Sequence, residues 1–296
     1  MRNSPAQRVQ LIQGDFLDPR PADQARCTPL ARAANIPADQ LADRTHELPP
    51  RSTIIRVIGP PDVAQAAVAR LAELERRAEY AGAGWCDRSG MDEGDLAQGS
   101  DGRRGAGACA GELSSSAIYR LWCPNAFLER VSAHLAPGTA LDLACGVGRD
   151  AVYLASLRWR AVGVDLLPDA LERAQRLADG CAAAIVRPEW RCADLTDDAT
   201  LDGLGRFDLV ICFRYLNRRL LSRISERLAP GGALLVETFT TMHRERHGRP
   251  RRAGLALELG ELRGLAPGLE VVEYDEGWRE DVHTARLWAR RSARTA

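Results

Sequence analysis

The chain has 296 residues, long enough for two modest domains, and its 40 basic and 40 acidic residues balance to a formal net charge of zero. That balance gives no global pull toward nucleic acid or an anionic membrane. Every basic residue is arginine, and the absence of lysine excludes a lysine Schiff base, a lysine general base and a P-loop lysine.

Eight cysteines are scattered without a C-x-x-C pair, which argues against a zinc ribbon or a thioredoxin motif. No signal peptide is evident, and no apolar stretch approaches the roughly 18–20 residues of a membrane span. The expected setting is therefore reduced and cytoplasmic.

Residues 1–80 read as a first compact segment. Arg8 to Ile12 suits a strand, Ala38 to Leu48 a short helical stretch, and Ser52 to Ile58 a β run followed by Gly59, Pro60 and Pro61. Asp62 is then placed to cap a helix from Val63 to Tyr80, with Ala67, Leu71 and Leu74 at helical spacing. Residues 81–113 are Gly-rich, lack periodicity and read as a flexible linker. Ser114 to Leu135 reads as a helix, interrupted, if anywhere, at Pro124.

The centre of the chain is residues 139–156. Thr139 to Ala144 is a short apolar run suited to a buried strand, Cys145-Gly146-Val147-Gly148 is a tight turn, and Arg149 onward has helical spacing. Strand, glycine turn and helix describe a nucleotide-type site, because the backbone can approach a ligand and the helix start offers free N–H groups. The glycines also fit a dinucleotide pattern. Asp142 shifts the balance: a carboxylate beside the turn would repel a pyrophosphate but suits the ammonium and sulfonium of S-adenosylmethionine.

Further strands alternate with helices: Arg160 to Asp165, a helix from Pro168 to Ala178, Pro188 to Leu195, Phe207 to Cys212, a helix over 220–229, and Ala233 to Phe239. The tail supplies a helix and two strands, 269–274 and 285–290. Asp165 ends its strand close to the roughly 20-residue distance expected of a ribose-binding carboxylate. His243 and His247 lack the H-E-x-x-H pattern and a third ligand, so no metal is expected.

Leu141-Asp-Leu-Ala-Cys-Gly-Val-Gly-Arg149 resembles the first motif of class I S-adenosylmethionine-dependent methyltransferases, with Ala144 in place of the first glycine. Trp122 to Glu129, Phe213 to Asn217, Val236 to Thr240 and Gly260 to Leu262 resemble the small-molecule methyltransferases related to tellurite resistance, including forms fused to rhodanese-like domains. The resemblance implies a Rossmann-like seven-stranded α/β sheet of order 3-2-1-4-5-7-6 over residues 114–296. It implies cofactor contacts at Asp142, Ala144, Cys145, Gly146 and Gly148, at Asp165 and Leu166, and at Asp194, Leu195, Cys212 and Phe213.

Arg214, Tyr215 and Asn217 are the expected substrate contacts, with Asn217 standing where relatives carry histidine. Tyr119, Arg120 and Asn125 are candidate lid residues. Residues 1–80 resemble a rhodanese-like domain, but the loop from Ile58 to Val63 lacks the catalytic cysteine, so docking to a partner or to the other domain is its expected role.

The expected reaction is methylation of a small, soft or anionic acceptor: a thiol, or a selenium or tellurium oxyanion. Three alternatives stand beside it. An NAD-dependent oxidoreductase shares the glycines but not Asp142 and Asp194. An RNA or protein methyltransferase would want a basic face, of which Arg249, Arg251 and Arg252 supply little. A non-catalytic adapter would bind cofactor and transfer nothing.

Overall fold

The computed structural model describes residues 9–82 and 117–293, and the chain divides into two compact units, Met1–Trp122 and Cys123–Ala296. Most of the expected linker, 83–113, lies outside the described residues.

The first unit holds β1 (Gln10–Gln13), β2 (Phe16–Asp18), α1 (Ala22–Cys27), β3 (Ala33–Asn35), β4 (Ile55–Ile58), α2 (Pro61–Glu73), β5 (Ala78–Gly82) and β6 (Ala117–Arg120). Four strands form a parallel sheet in the order β3-β2-β4-β5. α2 opens on Pro61, whose missing N–H costs nothing there, and buries Ala64, Ala67 and Leu71 against Leu17 and Val57.

This helix does not run on to Tyr80. It ends at Glu73, Glu75 turns the chain at φ +56°, and Ala78–Gly82 pairs with β4 instead. The expected helix over 114–135 is also corrected. Ala117–Arg120 is a strand paired in parallel with β1, and the Arg120 guanidinium donates to Gln13 Oε1 at 2.5 Å. Tyr119 and Arg120 therefore belong to the first unit and lie on no helix leading the second.

The second unit begins with α3 (Ala126–Ser132), followed by β7 (Thr139–Leu143), α4 (Arg149–Ser156), β8 (Arg160–Asp165), α5 (Pro168–Gly180), β9 (Glu189–Cys192), α6 (Asp198–Asp202), β10 (Phe207–Phe213), α7 (Arg218–Arg223), β11 (Leu228–Phe239), α8 (Thr241–His247), β12 (Glu270–Arg279) and β13 (Val282–Arg290). Its seven strands lie in the order β12-β13-β11-β10-β7-β8-β9. β11, β10, β7, β8 and β9 are parallel, while β13 runs antiparallel between β11 and β12. Numbered from the glycine-turn strand, that is the expected order 3-2-1-4-5-7-6.

Both faces of the sheet are buried, so the central strands are apolar on consecutive residues. Along β10, Leu209 and Ile211 join α3 and α4 in one cluster, while Val210 and Cys212 join α6 and α7 in the other. With both faces covered, the carboxyl ends of the parallel strands are the place left for a ligand. Among the described residues, no helix is long and apolar enough to cross a membrane.

Candidate active site

The turn after β7 is built from left-handed backbone: Ala144, Gly146 and Gly148 have φ of +58°, +53° and +74°. Ala144 carries a Cβ there at a cost of about 1–2 kcal/mol, strain of the kind that gathers at functional sites. Gly148 and Gly163 are required by packing, because a Cβ on either would come within 2.5 Å of the Trp190 ring. Gly146 differs: a Cβ there would meet nothing within 4 Å, so the turn's outer side faces open space.

Three carboxylates surround this turn. Asp142 is 4% exposed, and its Oδ2 has no hydrogen-bond partner. Burial, then the neighbouring Asp150 and Asp165, push its pKa well above the usual carboxylate range, opposed by the Ala151 N–H. Asp165 joins two loops: its Oδ2 accepts from Gly146 N–H at 2.8 Å and its Oδ1 from Leu167 N–H at 3.0 Å. Each oxygen keeps acceptor capacity for a hydroxyl.

Asp150 escaped the sequence reading, since an acid on a helix's first turn resembles ordinary dipole complementation. Its Oδ1 accepts from Asn125 N–H at 2.6 Å. Burial pushes its pKa up to about 6, against the pull of that N–H, Arg149 and Arg214. The folded chain thus holds this proton more tightly than the unfolded one. Its contribution favours folding at low pH and is lost as pH rises from about 4 to about 6. Asp150→Asn should remove that loss, raising apo stability above pH 6 by on the order of 1–3 kcal/mol relative to wild type, as read by thermal melts across pH.

Glu237 also escaped notice, lying inside an apolar strand. It is buried, and its carboxylate accepts from Asn125 Nδ2 at 2.8 Å, Thr284 Oγ1 at 2.9 Å and Arg286 Nη2 at 3.1 Å. Asn125 is the hub: its Oδ1 caps α3 by accepting from Phe127 N–H at 2.8 Å, while its amide groups reach Asp150 and Glu237. Asn125→Ala is expected to destabilise the fold by about 1–3 kcal/mol, from the lost cap and a buried carboxylate left short of a donor; a denaturant melt checks this. Of the three candidate lid residues, Asn125 alone lies in this unit.

Asp194 follows β9, is exposed, and its Oδ1 accepts from Thr196 N–H at 2.8 Å and Thr196 Oγ1 at 2.7 Å, which is an Asx turn. Leu195 beside it is buried and Leu166 exposed. Cys145 and Cys212 are held as neutral thiols by burial, the latter pushed up to about 12.

After β10, Phe213 is half-buried and Arg214 exposed. Arg214 adopts φ +56°, and its N–H donates to Glu237 O at 2.7 Å. Tyr215 is half-buried, and burial raises its pKa. Asn217 caps α7 by accepting from Leu220 N–H at 3.0 Å and donates to Leu195 O at 3.3 Å. Among the described residues, no group of three or more His, Cys, Asp or Glu could hold a metal ion.

The residues present fit S-adenosylmethionine. The orphaned Asp142 Oδ2 and the raised Asp150 beside it call for a cation, Asp165 has capacity for vicinal hydroxyls, and Gly146 leaves the turn open. A mostly parallel, doubly wound sheet carrying this turn is Rossmann-like.

Residues 140–232 match the family described as methyltransferase domain. Over those residues the second unit resembles a methyltransferase domain. No curated protein matches significantly. Similar solved structures include one from work on the conversion of a disulfide bond into a thioacetal group during echinomycin biosynthesis (24% identical, TM-score 0.48, covering 59% of this chain and 84% of that one). TehB from Haemophilus influenzae is 18% identical with a TM-score of 0.47, covering 56% of this chain and 62% of that one. Magnesium protoporphyrin IX methyltransferase from Synechocystis with bound SAH is 19% identical with a TM-score of 0.46, covering 57% and 81%.

Proposed function

We propose that the chain methylates a small, soft, anionic acceptor, a thiol or a selenium or tellurium oxyanion. The bound cofactor supplies an electrophilic methyl carbon on a sulfonium. The chain's own residues bind and align. Asp142 and Asp150 take the ammonium, Asp165 the ribose hydroxyls, and Asp194 with the Leu195 N–H the adenine. Holding donor and acceptor in line can meet much of the barrier.

The observation that carries the acceptor class is Arg214. Arg214 directly follows β10 at the glycine-turn end of the sheet, its guanidinium 5.9 Å from the Phe239 ring centroid and close enough to draw the Asp150 pKa down. Asn217 is engaged with backbone, so the loop offers a cation and a phenol. A soft anion arrives already deprotonated and suits that. Arg214→Ala should lower kcat/KM for anionic acceptors about 10–100-fold while leaving cofactor affinity unchanged, with partial rescue by Arg214→Lys if simple charge suffices. The check is a labelled-cofactor assay against thiols, selenite, tellurite and total RNA. Label in RNA and in none of the small acceptors would replace this reading with an RNA methyltransferase.

We read the first unit as a rhodanese-like domain without its thiol. β4 runs through Gly59 and Pro60 straight into α2, so the loop that would carry a catalytic cysteine has none, and Cys27 lies at the end of α1. Docking is the role left to it.

A further inference from the structure

Asp142 and Asp150 stand against each other across the glycine turn. Asp142 lies inside β7, in register with Gly163 of β8 and Ile211 of β10, and Asp150 lies on the first turn of α4. Asp142 is 4% exposed with Oδ2 orphaned, and Asp150 is half-buried. A backbone N–H meets each acid: that of Ala151 at Asp142, and that of Asn125 at Asp150 Oδ1, 2.6 Å away.

Charges face the two acids from every packed element. From the end of β8, Asp165 adds like charge to Asp142, and from β11 Glu237 adds it to Asp150. Arg149 on α4 and Arg214 after β10 oppose it at Asp150. Cys145 and Cys212 face Asp142 as neutral thiols. Burial is the largest effect on both acids and disfavours their charged forms. Two carboxylates in such a setting titrate as one unit.

We propose that the Asp142–Asp150 pair holds a proton in the cofactor-free chain and releases it when the cofactor's ammonium arrives, so that S-adenosylmethionine binds by exchanging a cation for a proton. The inference rests on the assignment of that ammonium to Asp142 and Asp150 above, and adds a control by pH: binding tightens as pH rises and loosens in acid. The acid O–H bond breaks, the proton passes to solvent, and the carboxylate formed accepts from the ammonium N–H. The net charge of the site is the same before and after. The orphaned Oδ2 makes the exchange favourable, because a charged oxygen there lacks a donor and an ammonium brings three. Methyl transfer leaves the ammonium in place, so S-adenosylhomocysteine should undergo the same exchange.

The test is calorimetric titration of the full chain with S-adenosylhomocysteine in phosphate and in imidazole buffer, which take up a proton with different heats. About half a proton or more should be released per ligand at pH 6, and affinity should be about tenfold weaker at pH 5 than at pH 7. The ligand's own ammonium stays largely charged over that range. In the Asp142→Asn, Asp150→Asn double variant, the buffer difference and the pH dependence should both vanish. Thermal melts without ligand read the same proton if the variant binds too weakly to titrate: wild type should lose stability relative to the double variant as pH rises from 4 to 7. Equal heats in the two buffers with affinity flat in pH, a pH dependence that survives in the double variant, or melts that run parallel across pH overturn the exchange and leave the cofactor reading standing. No binding of S-adenosylhomocysteine to wild type anywhere from pH 5 to 7 overturns both.

Discussion

Gly148→Ala is expected to cost about 2–5 kcal/mol of stability and to abolish cofactor binding. Two terms add. Gly148 sits at φ +74°, where a Cβ costs about 1–2 kcal/mol. That Cβ would also lie 2.5 Å from Trp190 Cη2 and 2.7 Å from Ala174 Cβ, and overpacking of this kind costs about 1–3 kcal/mol. The Trp190 indole and the α5 backbone cannot both give way, so the turn must move, and with it the Gly146 N–H that Asp165 holds. Urea melts and a cofactor titration on the same preparation check both halves. Gly146→Ala is the control for space: it carries the backbone strain at φ +53° without the collision.

Asp142→Asn should move stability and affinity in opposite directions. In the apo chain Asp142 is a buried acid with one oxygen orphaned and two acids for neighbours, and the amide removes the charge while keeping an acceptor for the Ala151 N–H. Apo stability is therefore expected to stay level or rise by about 1 kcal/mol. Affinity for S-adenosylmethionine should fall about 10–100-fold, because the ammonium loses its charged partner. A merely structural Asp142 would lower both together. A thermal melt and a calorimetric titration distinguish the two.

The glycine turn was legible in the sequence because each of its residues is dictated locally. A buried strand, left-handed glycines and a helix start follow one another within a dozen positions, and Asp142 and Asp165 sit at strand ends where spacing alone finds them. The acids that complete the site were not legible. Asp150 looks like dipole complementation and Glu237 like a lapse in an apolar strand; their meaning comes from Asn125, which meets both only after the chain has folded.

β6 was misread as helix for a related reason. Its partner, β1, lies more than a hundred residues earlier, and a four-residue strand carries too little periodicity to announce a distant edge. The helical pattern through Leu74 hid β5, since Glu75 turns the chain in a conformation that side-chain spacing does not reveal. Asn217 is an exception of another kind: the sequence placed it in the loop correctly, but its side chain works as a helix cap.

Calorimetric titration of the full chain with S-adenosylmethionine, and separately with NAD, tests most directly whether the turn between Asp142 and Asp165 is a methyl-donor site. The expected result is saturable binding of S-adenosylmethionine at one site per chain and no heat with NAD. Saturable binding of NAD, or none of S-adenosylmethionine, would contradict it.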